Sequence, residues 1–337
     1  KIYIATAIII IILITGLSYI INFNNTSAQT KSSTDSIFLM DTLIKIKVNG
    51  DNPQKVIDKC INRLKEIDKR MNANAKSSDI SRINQNPGEA IKVHNDTFQV
   101  IKESLKYAKL SNGKFDPTVG TLVNLWGIGT PRAQVPDKNE IKKAVNTINY
   151  KWIKLNEKNN TVILKENGTL LDLGGITKGY AADEVERIIS NYYEKPSAYI
   201  NLGGNVLVIG KKPDGSLWNI GIQDPRKNRG KVMASIKSQN TTIVTSGNYE
   251  RYFQENGKIY HHILDPDTGR PVRNHLTSVS IITDNSLKGD ALYTSIFIMG
   301  LEKGLQFIEE TENVEALFIT NYQKVVLSSG IKNKVKI

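Results

Sequence analysis

The chain has 337 residues, a formal net charge of +12 and one cysteine. That length holds one large or two ordinary domains, and a single cysteine excludes an internal disulfide framework. The lysine excess is scattered along the chain and comes with no nucleic-acid-binding motif. It therefore reads as a solvated surface suited to an anionic membrane nearby, with no nucleic acid as partner.

Ile2 to Phe23 is an almost unbroken apolar run. It exceeds the usual core of a signal peptide, so residues 1–23 are expected to form a transmembrane anchor in preference to a cleaved signal. Residues 24–36 are polar and rich in Asn, Ser and Thr, the composition of a tether. No second spanning run follows. Residues 37–337 are therefore expected as one body on one side of the membrane, outside the cytoplasm.

Alternation in FLMDTLIKIKV predicts a strand between Ile37 and Val48. Asn52-Pro53 opens an amphipathic helix to about Met71, with Val56, Ile57, Cys60, Ile61, Leu64 and Ile67 as its apolar stripe. Cys60 on that stripe is expected to pack as a small apolar residue. A short helix or turn is predicted over 77–84 and helices over 96–110 and 139–145, with a Gly/Pro-marked loop at SNGKFDPTVG. Strands are predicted at 152–155, 161–164 and 170–173, followed by a helix over 179–192. Further strands fall at 198–202, 205–209, 218–222, 232–236, 242–245, 259–264 and 277–283. A helix around Asp290 and a terminal hairpin, 316–320 with 324–328, complete the pattern. Strands that do not alternate regularly with helices give an α+β fold with a largely antiparallel sheet.

Two segments carry the most chemistry. LDLGGITKGYAAD (171–183) places an aspartate, two glycines and a lysine on a turn that opens a helix. GDALYTS (289–295) spaces Asp290 and Thr294 four apart, on one helix face. An acid and a hydroxyl on one face, beside a glycine turn, suit a hard cation next to a phosphate, which points to diphosphate chemistry. Each part also has a plain structural use. Asp172 can cap the turn after it, Gly174-Gly175 can be a tight turn, and Lys178 can solvate the helix start. NLGGN (201–205) can be a hairpin, and SGNYERYF (246–253) offers a hydroxyl and backbone amides to an anion. His261 and His262 alternate on a strand, so one is expected to face the site and the other solvent. With no cysteine nearby and no HExxH spacing they do not form a zinc site, and the inward one suits a general base or a phosphate contact.

Taken together, FDPTVGTLVNLWG, DLGGITKGYAAD, NLGGN, IQDP, TSGNYERYF, HHILDPDTGRPV and GDALYTS occur in this order. With MDT at Met40 and SSDISRIN at Ser77, the series closely resembles the ApbE family of flavin transferases, which attach FMN to proteins from FAD. The resemblance covers essentially all of the chain after the tether. It implies an ApbE-like (T-fold-like) α+β fold of antiparallel sheets with packed helices. It also implies that FAD is the substrate and that Mg2+ sits at the diphosphate, held by Asp290, Thr294 and a backbone carbonyl at Gly175. Flavin contacts are implied at Met40, at the Lys114-Phe115-Asp116 loop, and at Asp172, Lys178 and the strand from His262 to Leu264. His262 is the expected base, with Asp290 able to share that role, and the attacker is a threonine or serine hydroxyl of an acceptor protein.

Two departures bear on function. Many members place a tyrosine about where this chain has Asn74, and asparagine leaves room for water to attack, so hydrolysis of FAD to FMN and AMP is an alternative outcome. No cysteine is present to take a lipid, which favours the anchor. A flavin-binding protein without turnover is the third reading, and Asp290, Thr294 and His262 argue against it.

Overall fold

A computed structural model describes residues 31–228 and 230–337. The main sheet is built from β1 (Ser32–Leu39), β2 (Thr42–Asn49), β3 (Ser197–Leu202), β4 (Asn205–Ile209), β5 (Thr241–Gly247), β6 (Leu276–Thr283), β7 (Val314–Thr320) and β8 (Val325–Leu327). These eight strands lie across the sheet in chain order, and every neighbouring pair is antiparallel. The helices are α1 (Pro53–Met71), α2 (Asp79–Gln85), α3 (Asn95–Leu110), α4 (Gly120–Trp126), α5 (Lys138–Val145), α6 (Thr177–Tyr192), α7 (Ser286–Met299) and α8 (Leu301–Glu309). The expected α+β class with antiparallel sheets is what the chain adopts.

Strand alternation separates two cores. Leu207, Val244, Ile281 and Phe318 point into the large core shared with α1, α6 and α7. Val208, Ile243, Ile282 and Leu317 point the other way, against a small sheet that contains Trp218–Gln223 and Val232–Ser238. Cys60 is buried in the large core, as expected, and burial pushes its thiol up to about 12, which keeps it unreactive. Arg63 joins three helices: it donates to Glu184 at 2.8 Å and to Asp96 at 2.9 Å, tying α1 to α6 and α3.

Several elements differ from expectation for local reasons. FLMDTLIKIKV folds as two strands, because Met40 and Asp41 both adopt left-handed backbone (φ 53° and 56°) and reverse the chain in a two-residue turn. β1 begins at Ser32, inside the stretch expected as tether. It is an edge strand, so its polar residues need no core behind them. Leu170 to Leu173 makes no ladder beyond a single bridge between Leu170 and Val119. Instead Asn84 closes both sides of Leu171, accepting from its amide at 2.7 Å and donating to its carbonyl at 2.9 Å. The expected strand 259–264 divides into Lys258–His261 and Leu264–Asp265, which pair with different partners. α4 and α8 were not foreseen. The anchor expected over residues 1–23 lies outside the described residues. Among those described, no helix is long and apolar enough to cross a membrane.

The junction of α6 and α7 positions everything that follows. Asp183 on α6 accepts from the amides of Ser286 (2.7 Å) and Leu287 (2.9 Å), capping the start of α7 from outside that helix. Gly179 permits the close approach. A Cβ there would stand 2.3 Å from the Ser286 carbonyl oxygen and 2.7 Å from Asp290 Cβ. Because backbone blocks that space, G179A is expected to lower unfolding free energy by about 1–3 kcal/mol in urea denaturation. A variant as stable as the parent would mean that the helices separate without cost.

Candidate active site

Asp290 is fully buried on α7. Its Oδ2 accepts from the Gly179 amide at 2.8 Å, while Oδ1 has no hydrogen-bond partner. A buried carboxylate oxygen left unpaired is costly, and such an atom calls for a ligand. Thr294 lies one helical turn further on, and its Oγ1 is 3.7 Å from where a Cβ of Gly175 would stand. The structure thus brings together Asp290, Thr294 and Gly175, the three residues expected to hold a cation. Among the described residues, no group of three or more His, Cys, Asp or Glu side chains is placed to hold a metal. What the site offers instead is one carboxylate and one hydroxyl beside a glycine turn, oxygen groups of the kind a hard cation prefers.

The wall facing this pair is the turn before α6. Asp172 Oδ1 accepts from the Gly174 amide at 2.7 Å, so the capping use foreseen for Asp172 is real. Burial pushes its carboxyl up, opposed by that amide and by the charges of Lys178 and Arg251. Lys178 Nζ donates to the Gly174 carbonyl at 3.2 Å, which fixes the lysine across the glycine turn. Phe115 is buried with its ring edge 3.2 Å from a Gly175 Cβ position, so a side chain there would press on the ring.

His262 stands on the segment between β5 and β6. The Arg251 carbonyl accepts from the His262 amide at 3.0 Å and faces its Nδ1 at 3.3 Å. Because a carbonyl only accepts, this contact places the ring proton on Nδ1 and leaves the Nε2 lone pair free. Burial first, then the charge of Arg251, pushes the imidazole down to about 3, so the ring is neutral at ordinary pH. His261 does not face solvent as alternation implied. It is buried, its Nε2 contacts the Val272 carbonyl at 2.8 Å, and its ring meets Phe297 edge-on.

The remaining expected residues divide. Met40 forms the β1–β2 turn and packs partly buried on the large core. Asp116 is spent locally: its oxygens accept from the Thr118 amide and hydroxyl and from the Tyr150 amide. Lys114 pairs with Asp267 at 2.6 Å and Asp265 at 3.4 Å; burial lowers its pKa, and those two carboxylates more than reverse this. Leu264 turns into the satellite core with Leu122, Trp126 and Ile141. Only main-chain groups of Leu264 remain for a ligand. Asn74 is exposed in the turn after α1, its amide donating to the Asn72 side chain.

Residue patterns missed three contributors. Asp183 closes the LDLGGITKGYAAD segment, and the pattern gives it no role of its own. Burial pushes the carboxyls of Asp172 and Asp68 up, and Asp41 lies close enough to add to both shifts. Arg251 reaches the site from a separate segment, and only the anion-binding reading of SGNYERYF hinted at it.

Comparison with known proteins agrees with this geometry. The ApbE family profile matches residues 40–318. The FAD:protein FMN transferase of Treponema pallidum (strain Nichols) is 31% identical over 328 residues, covering 92% of this chain and 90% of that protein. The FAD:protein FMN transferase of Klebsiella pneumoniae (strain 342) is 33% identical over 295 residues, covering 87% and 91%. The crystal structure of the ApbE protein of Thermotoga maritima superposes with a TM-score of 0.85 at 33% identity, covering 90% of this chain and 99% of that one. A profile match over most of the chain, full-length relatives and a shared fold agree with one another, and the chain belongs to the ApbE family.

Proposed function

We propose that the chain is an FAD:protein FMN transferase that moves FMN from FAD to a threonine or serine hydroxyl of an acceptor protein and releases AMP. The observation that carries this reading is the buried, unpaired Oδ1 of Asp290 beside Thr294 and Gly175. Asp290, Thr294 and the Gly175 carbonyl are the groups that would hold Mg2+, which supplies Lewis-acid charge at a diphosphate. Lys178 and Arg251 add positive charge along the same wall.

The acceptor oxygen forms a new bond to the phosphorus on the flavin side of the diphosphate, and the bond from that phosphorus to the AMP oxygen breaks. The hydroxyl proton passes to Nε2 of His262, whose Nδ1–H is held by the Arg251 carbonyl. A neutral ring pressed down by burial and by Arg251 is a weak base. A bound diphosphate offsets that positive charge and raises the basicity of the ring when substrate is present.

An extracytoplasmic location is part of the same proposal, supported by the apolar run from Ile2 to Phe23. Hydrolysis of FAD to FMN and AMP is a second reading, favoured by Asn74. It is exposed in the turn after α1, whose last turns include Asp68, the residue sensing the charge of Asp41.

Incubation with FAD, Mg2+ and an acceptor protein bearing an exposed threonine is expected to add one FMN to the acceptor with release of AMP, read by mass spectrometry. FAD intact with and without metal would contradict the enzymatic reading. H262N is expected to lower kcat by roughly 10²–10⁴-fold while FAD still binds, and a variant with parental kcat would remove His262 as the base. The free-enzyme pKa of His262 predicts that kcat/KM for FAD shows no histidine limb between pH 5 and 8, whereas a limb near pH 6.5 would mean an unshifted ring. The unfolded chain binds the proton first, so the contribution of the neutral ring is complete above about pH 6.5. It is lost as pH falls toward about 3. N74Y is expected to slow acceptor-free release of AMP and to strengthen FAD retention; parental hydrolysis in that variant would count against a role for Asn74.

A further inference from the structure

Arg251 touches two parts of the site at once. Its carbonyl faces both the amide and Nδ1 of His262, at 3.0 and 3.3 Å. Its Nη2 donates to the Asp41 carbonyl at 3.1 Å, across 210 positions of sequence. The stem between these ends passes the loop after α4, where Cδ lies 3.7 Å from a Gly129 Cβ position.

The turn it reaches is under strain. Met40 and Asp41 both hold positive φ, and neither is glycine. A methionine in the left-handed region is uncommon and persists only when its surroundings fix it. One restraint comes from below: Thr42 fills the space that a side chain at Gly203 would occupy, 2.0 Å from its Oγ1. Arg251 supplies the other, from a different loop. The turn in turn bears on the site, since the Asp41 charge is felt at Asp172.

We propose that Arg251 is a positioning residue that sets the affinity for FAD, its guanidinium pinning the Met40–Asp41 turn while its main chain orients the His262 ring. This inference rests on the transferase reading and deepens it. Flavin-side wall and proton acceptor are then placed by one residue, and only the first of these depends on its side chain. Truncating the side chain therefore frees the turn while the carbonyl that orients the ring remains, and it also removes the charge that helps to hold the pKa of the ring down.

The test compares the full chain with R251A and R251K by two readouts. One is amide hydrogen exchange at Met40, Asp41 and Thr42 without substrate. The other is FAD affinity by flavin fluorescence, together with kcat and KM for AMP release in Mg2+. A charge-assisted hydrogen bond of this kind implies roughly a tenfold weaker affinity in R251A, with the loss falling on KM more than on kcat. Exchange at the three turn amides quickens while the rest of the main sheet stays protected, and R251K recovers part of both effects. Unchanged affinity and exchange in R251A would overturn the inference. So would faster exchange throughout the main sheet with kcat and affinity falling together, which is the signature of a merely structural residue. If the parent chain binds FAD but cleaves none, the transferase reading fails, while exchange and affinity still decide the role of Arg251.

Discussion

The Gly179 amide reaches Asp290 Oδ2 at 2.8 Å because no side chain separates α6 from α7 at that point. That one hydrogen bond sorts the two oxygens of a fully buried carboxylate, binding one and leaving the other open. A carboxylate in such a place is expensive to leave incompletely paired, and its persistence is understandable only if something completes it. The cap that Asp183 places on α7 keeps the helix in register for the contact. The rest of the site is arranged around this fixed point: Thr294 follows one turn later, and Gly175 lies opposite on the turn that opens α6.

Electrostatics divide the site into two sides. One holds the open oxygen of Asp290 and is suited to a cation. The other carries Lys178 and Arg251, whose charges help to keep His262 neutral and pull against the upward shift of Asp172. A diphosphate lying between them would meet positive charge on both sides once a cation is bound, and it would relieve the positive pressure on the imidazole. On the proposed transferase reading, substrate charge would arrive first and make His262 competent as the base, which would disfavour proton uptake by an empty site.

Much of this was legible in the sequence. Asp290 and Thr294 could be placed on one helix face by spacing alone, and the α1 stripe was readable from Val56 to Ile67, although Met71 is buried beyond it and Ile61 is only half-buried. What escaped depended on contacts between distant segments. The Met40–Asp41 reversal carries none of the Asn-Gly or Gly-rich signals of such turns, and is held instead by Gly203 from below and Arg251 from the side. Lys114 and Asp116 have the residue types of ligand contacts, but their polar groups are taken by Asp267 and by Thr118 and Tyr150. Residue type cannot tell an open group from one already partnered, and partners 34 and 153 positions away leave no periodicity to read. Asp183 escaped for the same reason, since a cap supplied from another helix has no local pattern.

The most direct measurement of the central contact is binding of Mn2+, as a spectroscopic stand-in for Mg2+, by electron paramagnetic resonance with FAD present, in the parent chain and in D290N. The open carboxylate oxygen predicts one bound ion per chain in the parent and loss of that ion in D290N, with far-ultraviolet circular dichroism unchanged. Equal Mn2+ binding by a folded D290N would contradict it, and would place any cation away from the junction of α6 and α7.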